Sequence, residues 1–219
     1  MINRLLTGLV CVGILSQCSG PRDPKEVSVG LPFYSQADFT PEWFDDEAIG
    51  NANIHTIAPF KLVNQNGDTI TESDLKGKVY VANFFFTICP MICPKMTDNL
   101  ERVVVEFEHD DSVLLVSHTV MPWVDSVAVL HDFAERRGIQ SDKWHLLTGE
   151  KDDLYTLGRE SYFADEGFGK SVTADSDFLH TENVVLVDSQ LRIRGIYNGT
   201  LQLEMSRLIE DIRRLKGET

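Results

Sequence analysis

The run Val79 to Phe86 carries no charge and is rich in β-branched and aromatic residues. It reads as a strand buried on both faces, which calls for a sheet interior with layers above and below it. The strand passes almost at once into Cys89-Pro90-Met91-Ile92-Cys93-Pro94, after which Leu100, Val103, Val104 and Phe107 fall on one helical stripe. Cys89 and Cys93 therefore stand at a strand-to-helix junction. Their four-residue separation puts both side chains on one face of a helix, where two sulfurs can close a disulfide or grip one soft metal ion.

The rest of the chain fits around that strand. Phe60 to Val63 and Thr69-Ile70 flank Asn64-Gln65-Asn66-Gly67-Asp68, a hairpin by its turn chemistry. Val113 to Val116 is a short β-branched run, and Val124, Val127, Leu130 and Ala134 predict a helix ending near Gly138. Trp144 to Leu147 reads as a strand, and Asp152 to Arg159 as a short helix. Phe163 to Leu179 is polar, contains glycine and is longer than most connections, a kind of loop that is often functional. Val184 to Val187 and Leu191 to Tyr197 flank Asp188-Ser189-Gln190 as a second hairpin. Leu201, Met205, Leu208, Ile212 and Leu215 then stripe a final helix. This order predicts an α/β domain with a mixed central sheet and helices on both faces.

The N-terminus is read as an export signal. Met1 to Arg4, the apolar run Leu5 to Leu15 and Ser16-Gln17-Cys18-Ser19-Gly20 give a charged start, an apolar core and a cleavage region, with a run too short for a comfortable membrane span. Residues 1–17 are expected to be a lipoprotein signal with Cys18 as the lipidated residue, although Gln17 is bulkier than usual at its position. Residues 18–56 are expected to be a tether and extended arm that packs Phe33, Tyr34, Phe39, Trp43 and Phe44 on the domain, and residues 57–219 the domain itself. Such a chain is expected in the bacterial cell envelope, facing the periplasm and held to the membrane by its lipid. Net charge is −14, and cleavage before Cys18 removes only Arg4 and takes it to −15. That surface argues against nucleic acid and suits cationic partners or cargo, though negative charge also simply keeps a protein soluble.

Cleavage would also remove Cys11, leaving Cys89 and Cys93 as the thiols free for chemistry. A buried structural disulfide is the plain reading in an exported protein, but so short a loop makes a poor staple. Position favours reactivity instead, because the unpaired N–H groups and dipole of a helix N-terminus stabilise thiolate over thiol. A structural zinc site would need a second ligand pair that the chain lacks. Two thiolates with one imidazole form a soft, low-coordinate site suited to copper, above all Cu(I). Six histidines compete for the imidazole: His55, His109, His118, His131, His145 and His180. His109 and His131 lie among charged residues on predicted helices, His55 in the arm and His145 in a short strand. His118 ends the strand Val113 to Val116 at a carboxyl edge, and His180 closes the long loop before Val184. Those two are the favoured candidates.

With these residues in hand, the chain resembles the Sco/SenC family of thioredoxin-like copper chaperones from about Ile57 onward. Phe86-Thr87-Ile88-Cys89-Pro90-Met91-Ile92-Cys93-Pro94 fits that family's Phe-Thr-x-Cys-Pro-x-x-Cys-Pro signature, and Leu75-Lys76-Gly77-Lys78 and His180-Thr181 fit as well. The resemblance implies a thioredoxin-like fold with an added N-terminal hairpin and a loop insertion carrying the histidine. It implies Cys89, Cys93 and His180 as ligands of Cu(I) or Cu(II), with the two cysteines also a redox-active pair. The expected acceptor is the copper-site subunit of cytochrome c oxidase or another envelope cuproprotein, and a thioredoxin-like reductant is a further expected partner. Two departures stand out. Val116 to Pro122 occupies the place of the family's Ser-Val-Asp-Pro, which suggests that His118 replaces an acid and serves as an extra ligand; and Leu179 replaces an acid before His180. The competing reading is a thiol-disulfide oxidoreductase that uses the same pair without metal. A peroxidase is set aside, because Phe86 and Ala82 stand where peroxiredoxins carry threonine and proline.

Overall fold

The computed structural model describes residues 30–164 and 181–217. In the arm, β1 (Phe33–Tyr34) pairs antiparallel with β2 (Pro41–Glu42), and α1 (Asp46–Ile49) follows. Phe33 is buried beneath two guanidinium groups, Arg194 at 4.0 Å and Arg192 at 4.9 Å from its ring centroid. Arg194 also donates to the carbonyls of Leu31 (2.6 Å) and Pro32 (3.1 Å), while buried Asp188 pairs with both arginines. Asp188 and Arg194 are buried but paired with each other, with Arg192 closing the cluster from the partly exposed side, which is how burial tolerates charge. Trp43 departs from the expected packing of the arm and is 55% exposed.

The predicted hairpin forms as β3 (Lys61–Val63) and β4 (Thr69–Thr71), with Leu62 opposite Ile70. A capping box between Thr71 and Asp74 then opens α2 (Glu72–Leu75). Next come β5 (Val79–Phe85), α3 (Ile92–Glu106), β6 (Val113–Thr119), α4 (Val127–Arg137) and β7 (Trp144–Leu147). α5 (Lys151–Thr156) runs into a π-helical turn at Leu157–Ser161, and β8 (Asn183–Val187), β9 (Ile193–Asn198) and α6 (Gln202–Gly217) complete the described chain. β5, β6 and β7 are parallel, β8 and β9 antiparallel to their neighbours, and the sheet order is β7-β6-β5-β8-β9. β5 is thus central, and all its residues are buried, as its uncharged sequence requires.

Alternation along the strands divides the core in two. Val79, Val81, Phe85, Val113 and Leu115 pack against α3, α4 and α6 through Met96, Leu100, Val103, Leu130, Met205, Leu208 and Ile212. Tyr80, Ala82, Phe84, Leu114 and Val116 face the hairpin, α2 and α5 through Leu62, Ile70, Leu75, Leu154 and Tyr162. Helix ends follow the residues present. Ser126 caps α4 by accepting from the Val129 N–H, and Gly138 closes it at φ 68°, a left-handed conformation that glycine takes without penalty. Gly199 lets the turn after β9 approach β8 and α3, since a Cβ there would meet Val184 Cγ2 at 2.7 Å and Met96 Cγ at 3.2 Å. β6 is longer than the sequence suggests and runs on through His118 to Thr119.

Candidate functional site

The polypeptide leaves the carboxyl end of β5 at Phe86 and turns tightly, with the Cys89 N–H donating to the Phe86 carbonyl at 3.3 Å, before α3 begins at Ile92. Cys93 is therefore in the first turn of α3 and buried, whereas Cys89 is in the preceding turn and half-exposed. Both are free thiols and hydrogen-bond to each other. Pro94 is tolerated here because first-turn N–H groups have no partner within the helix. The Cys93 carbonyl accepts from Thr97 Oγ1 at 2.8 Å, and the Pro94 carbonyl from Arg137.

The two sulfurs are electrostatically unequal. Partial burial raises the Cys89 pKa, but donation from the Cys93 thiol and from the main-chain N–H groups of Cys93, Met91 and Ile92 outweighs it, and the net shift is downward. Deeper burial pushes Cys93 up to about 12, helped by its bond to Cys89 and by the charges of Cys89 and Asp125, against a main-chain bond from Phe86. Cys89 is the more acidic, solvent-facing sulfur and Cys93 the less acidic, sheltered one.

A pocket of ≈ 350 Å³ opens on the pair, lined by Phe84, Phe85, Phe86, Pro90, Met91, Ile92 and Val120, and by Thr181 and Glu182 from the segment leading into β8. A larger depression of ≈ 490 Å³ between Phe60 and Glu160 contains no thiol or imidazole in its lining, and size does not make it the reactive site. His180, the expected third ligand, lies outside the described residues, as do Leu179, Cys11 and Cys18. Among the described residues no group of three His, Cys, Asp or Glu side chains can hold a metal ion. The donor chemistry of Cys89 and Cys93 nevertheless fits Cu(I), which prefers few, soft, closely spaced thiolates.

The other histidines are placed away from the thiols' chemistry. His118 is a correction to the sequence reading: it is no strand-end residue but sits inside β6, fully buried, stacked on Phe84 at 5.2 Å and beside Phe60 and Tyr162. It points to the sheet face opposite α3, so it is not positioned as an extra ligand to sulfurs on the α3 side. Retaining the valine and proline of Ser-Val-Asp-Pro aligns that pattern with Thr119-Val120-Met121-Pro122, which puts Met121 in the acid's place. His55 Nε2 meets the Ser161 carbonyl at 2.8 Å, and His145 lies within β7. His131 pairs with Glu135 on α4, while His109 lies beyond the end of α3 rather than on it.

Asp125 escaped the sequence reading. It is fully buried and accepts from Thr87 Oγ1 and Thr119 Oγ1, each at 2.5 Å, and from the Thr87 N–H at 3.3 Å. It thereby ties the turn carrying Cys89 to the end of β6. Its only sequence signal is an acid just before the N-cap Ser126, which is also what an ordinary capping segment looks like.

A family model described as SCO1/SenC matches residues 50–217, more than half of the chain. The chain belongs to the SCO1/SenC family. It is 28% identical over 163 residues to the SCO1 protein homolog of Bacillus subtilis (strain 168), spanning 73% of this chain and 82% of that one. Among solved structures it resembles a SCO1/SenC family lipoprotein from Bacillus anthracis, with TM-score 0.65 and 27% identity over 75% of this chain and 96% of the other. Bradyrhizobium japonicum ScoI, solved with copper bound, gives TM-score 0.58 and 25% identity over 73% of this chain and 99% of the other. The fold of this SCO1/SenC member is accordingly thioredoxin-like, with its dithiol at the junction between the central strand and the helix that follows.

Proposed function

We propose that this chain is a copper-carrying metallochaperone of the bacterial cell envelope that serves assembly of the binuclear copper site of cytochrome c oxidase. Cys89, Cys93 and His180 are its ligands. The observation that carries the reading is the shared pocket: Thr181, covalently next to His180, lines the same cavity as both thiols. A copper-bound relative of the same fold supports it. Copper is cargo here. This chain's residues supply an outer thiol of lowered pKa to meet the ion and a buried second sulfur to retain it, so uptake releases protons and strengthens as pH rises.

Anchoring through a lipid on Cys18, after removal of residues 1–17, is part of the same proposal. The lipoprotein from Bacillus anthracis supports it. Residues 18–56 act as tether and arm, and residues 57–219 as the working domain. Anaerobic competition with a colorimetric Cu(I) chelator tests the ligand set: one tightly held Cu(I) is expected in the reduced protein, and His180→Ala is expected to weaken it severely. A His180→Ala protein as tight as wild type overturns the three-ligand carrier.

The inequality of the two thiols favours a second reading, reduction of target disulfides. Cys89 thiolate attacks a target disulfide and forms a mixed disulfide. Cys93 then attacks the Cys89 sulfur of the mixed disulfide and displaces the second target sulfur, its proton passing to that departing thiolate while the first takes one from solvent, so that Cys89–Cys93 becomes oxidised and the target gains two thiols. A thioredoxin-like partner would restore the pair. A deletion strain whose lost oxidase activity returns with added copper supports delivery; no rescue supports the reductase.

A further inference from the structure

Four methionines lie in the described chain, and three of them pack: Met96 and Met205 are buried and Met121 is half-buried. Met91 is 78% exposed, at the mouth of the dithiol pocket and between the two cysteines in sequence. Solvent exposure of so apolar a side chain gains nothing by burial, which invites a use for its sulfur. Its main-chain N–H donates to the Cys89 sulfur. Only Cβ and Cγ separate its Cα from the thioether, so an unbranched side chain anchored there can bring Sδ to an ion held on Cys89. Ile88, on the other side of Cys89 in sequence, is also 61% exposed. A thioether is a soft, uncharged donor, suited to Cu(I) and weak enough to let go.

We propose that the Met91 thioether is an accessory Cu(I) ligand at the entrance of the site, which catches the ion on arrival and stays bound to it beside Cys89 until hand-over. The inference rests on the copper-carrier reading and adds to it a donor and an order of events: Met91 and Cys89 at the mouth, Cys93 behind them. Leucine matches the size and apolarity of methionine but cannot coordinate. If Met91 serves only as an apolar contact, Met91→Leu leaves copper behaviour unchanged.

The test uses the reduced full chain loaded with Cu(I) anaerobically and labelled with selenomethionine, read by X-ray absorption at the selenium edge. A copper neighbour around selenium is expected in wild type and is expected to vanish in Met91→Leu. With unlabelled protein, Met91→Leu is expected to surrender Cu(I) to a chelator on the order of tenfold faster. Tight Cu(I) binding with no copper near selenium, or equal release rates, overturns this inference alone. A wild-type protein that takes up no Cu(I) overturns the carrier reading and this inference with it.

Discussion

Ser117 and His118 are neighbours on β6, yet they face opposite sides of the sheet and are treated in opposite ways. On the α3 side, Ser117 Oγ donates to Asn83 Oδ1 at 2.5 Å and accepts from Trp144 Nε1 at 2.7 Å, while farther along the same face Asp125 takes both threonine hydroxyls. On the other side, neither ring nitrogen of His118 has a partner in good hydrogen-bonding geometry, the Asn83 main chain being its one polar neighbour, and the imidazole is enclosed by Phe60, Phe84 and Tyr162. The polar groups beneath the dithiol are mutually satisfied and hold its turn in place; the imidazole behind it is used as a flat ring. A histidine in a copper-binding family is therefore not a ligand by virtue of its chemistry alone, because the sheet decides which donors can meet.

The largest expected effect separates the two sides directly. If a four-ligand structural zinc site of about 10–16 kcal/mol sets the scale, one ligand accounts for about 2.5–4 kcal/mol, so Cys93→Ser should weaken Cu(I) binding by roughly a hundredfold to a thousandfold. His118→Phe should leave Cu(I) affinity at the wild-type value. Both are read by chelator competition, and a copper defect in His118→Phe would break the contrast.

Acid sharpens it next. Burial lowers the His118 pKa to about 4, with the Asn83 main chain opposing weakly, and in the unfolded chain the group returns to its ordinary value of about 6.5. Between those values the unfolded state binds the extra proton. Stability from the neutral buried ring is thus complete above about pH 6.5 and declines as pH falls toward 4, by about 3 kcal/mol in all. Burial also lowers His145, which adds a loss of the same sign. Denaturant unfolding at stepped pH should show His118→Phe with a shallower acid decline than wild type; an unchanged slope would remove His118 as its source.

The legibility of the chain follows the same division. The uncharged β5 run, the helical stripes of α3 and α6 and the turn residues of both hairpins are local patterns, and each element appears close to where its residues place it. Cys89 and Cys93 were legible for the same reason, since a strand followed by a helix start is readable within a dozen residues. His118 was misread because Ser117-His118-Thr119 looks like a strand end, whereas pairing with Phe84 and Leu147 on either side extends β6 through it. Asp125 was invisible because its partners, Thr87 and Thr119, come together only when the α3 turn and the β6 end are brought side by side. Long-range hydrogen bonding leaves no periodic trace in a single sequence.

Asp125→Asn tests whether that tie matters to the thiols. The amide keeps the volume but cannot accept equally from two hydroxyls and an N–H, so a loss of about 2 kcal/mol in unfolding free energy is expected. The turn carrying Cys89 should loosen with it, read as a changed rate of Cys89 alkylation in the reduced protein. Asn retaining both full stability and the wild-type alkylation rate would show that Asp125 neither braces the turn nor acts on the pair.

The smallest effect returns to the adjacent pair. Ser117→Ala leaves the buried Trp144 N–H and Asn83 carbonyl without their shared hydroxyl, and stranding buried polar atoms costs about 1 kcal/mol or somewhat more. His118→Phe removes two nitrogens that have no partner to lose, and a ring of similar shape keeps the stack on Phe84, so at pH 7 it should be neutral or mildly stabilising. Thermal unfolding of the two single variants should give a loss for Ser117→Ala and none for His118→Phe, and because Asn83 meets Ser117 through its side chain and His118 through its main chain, the double variant measures the coupling between the two faces. Equal losses from both would mean that the polar network on the dithiol face confers no advantage over the orphaned ring behind it.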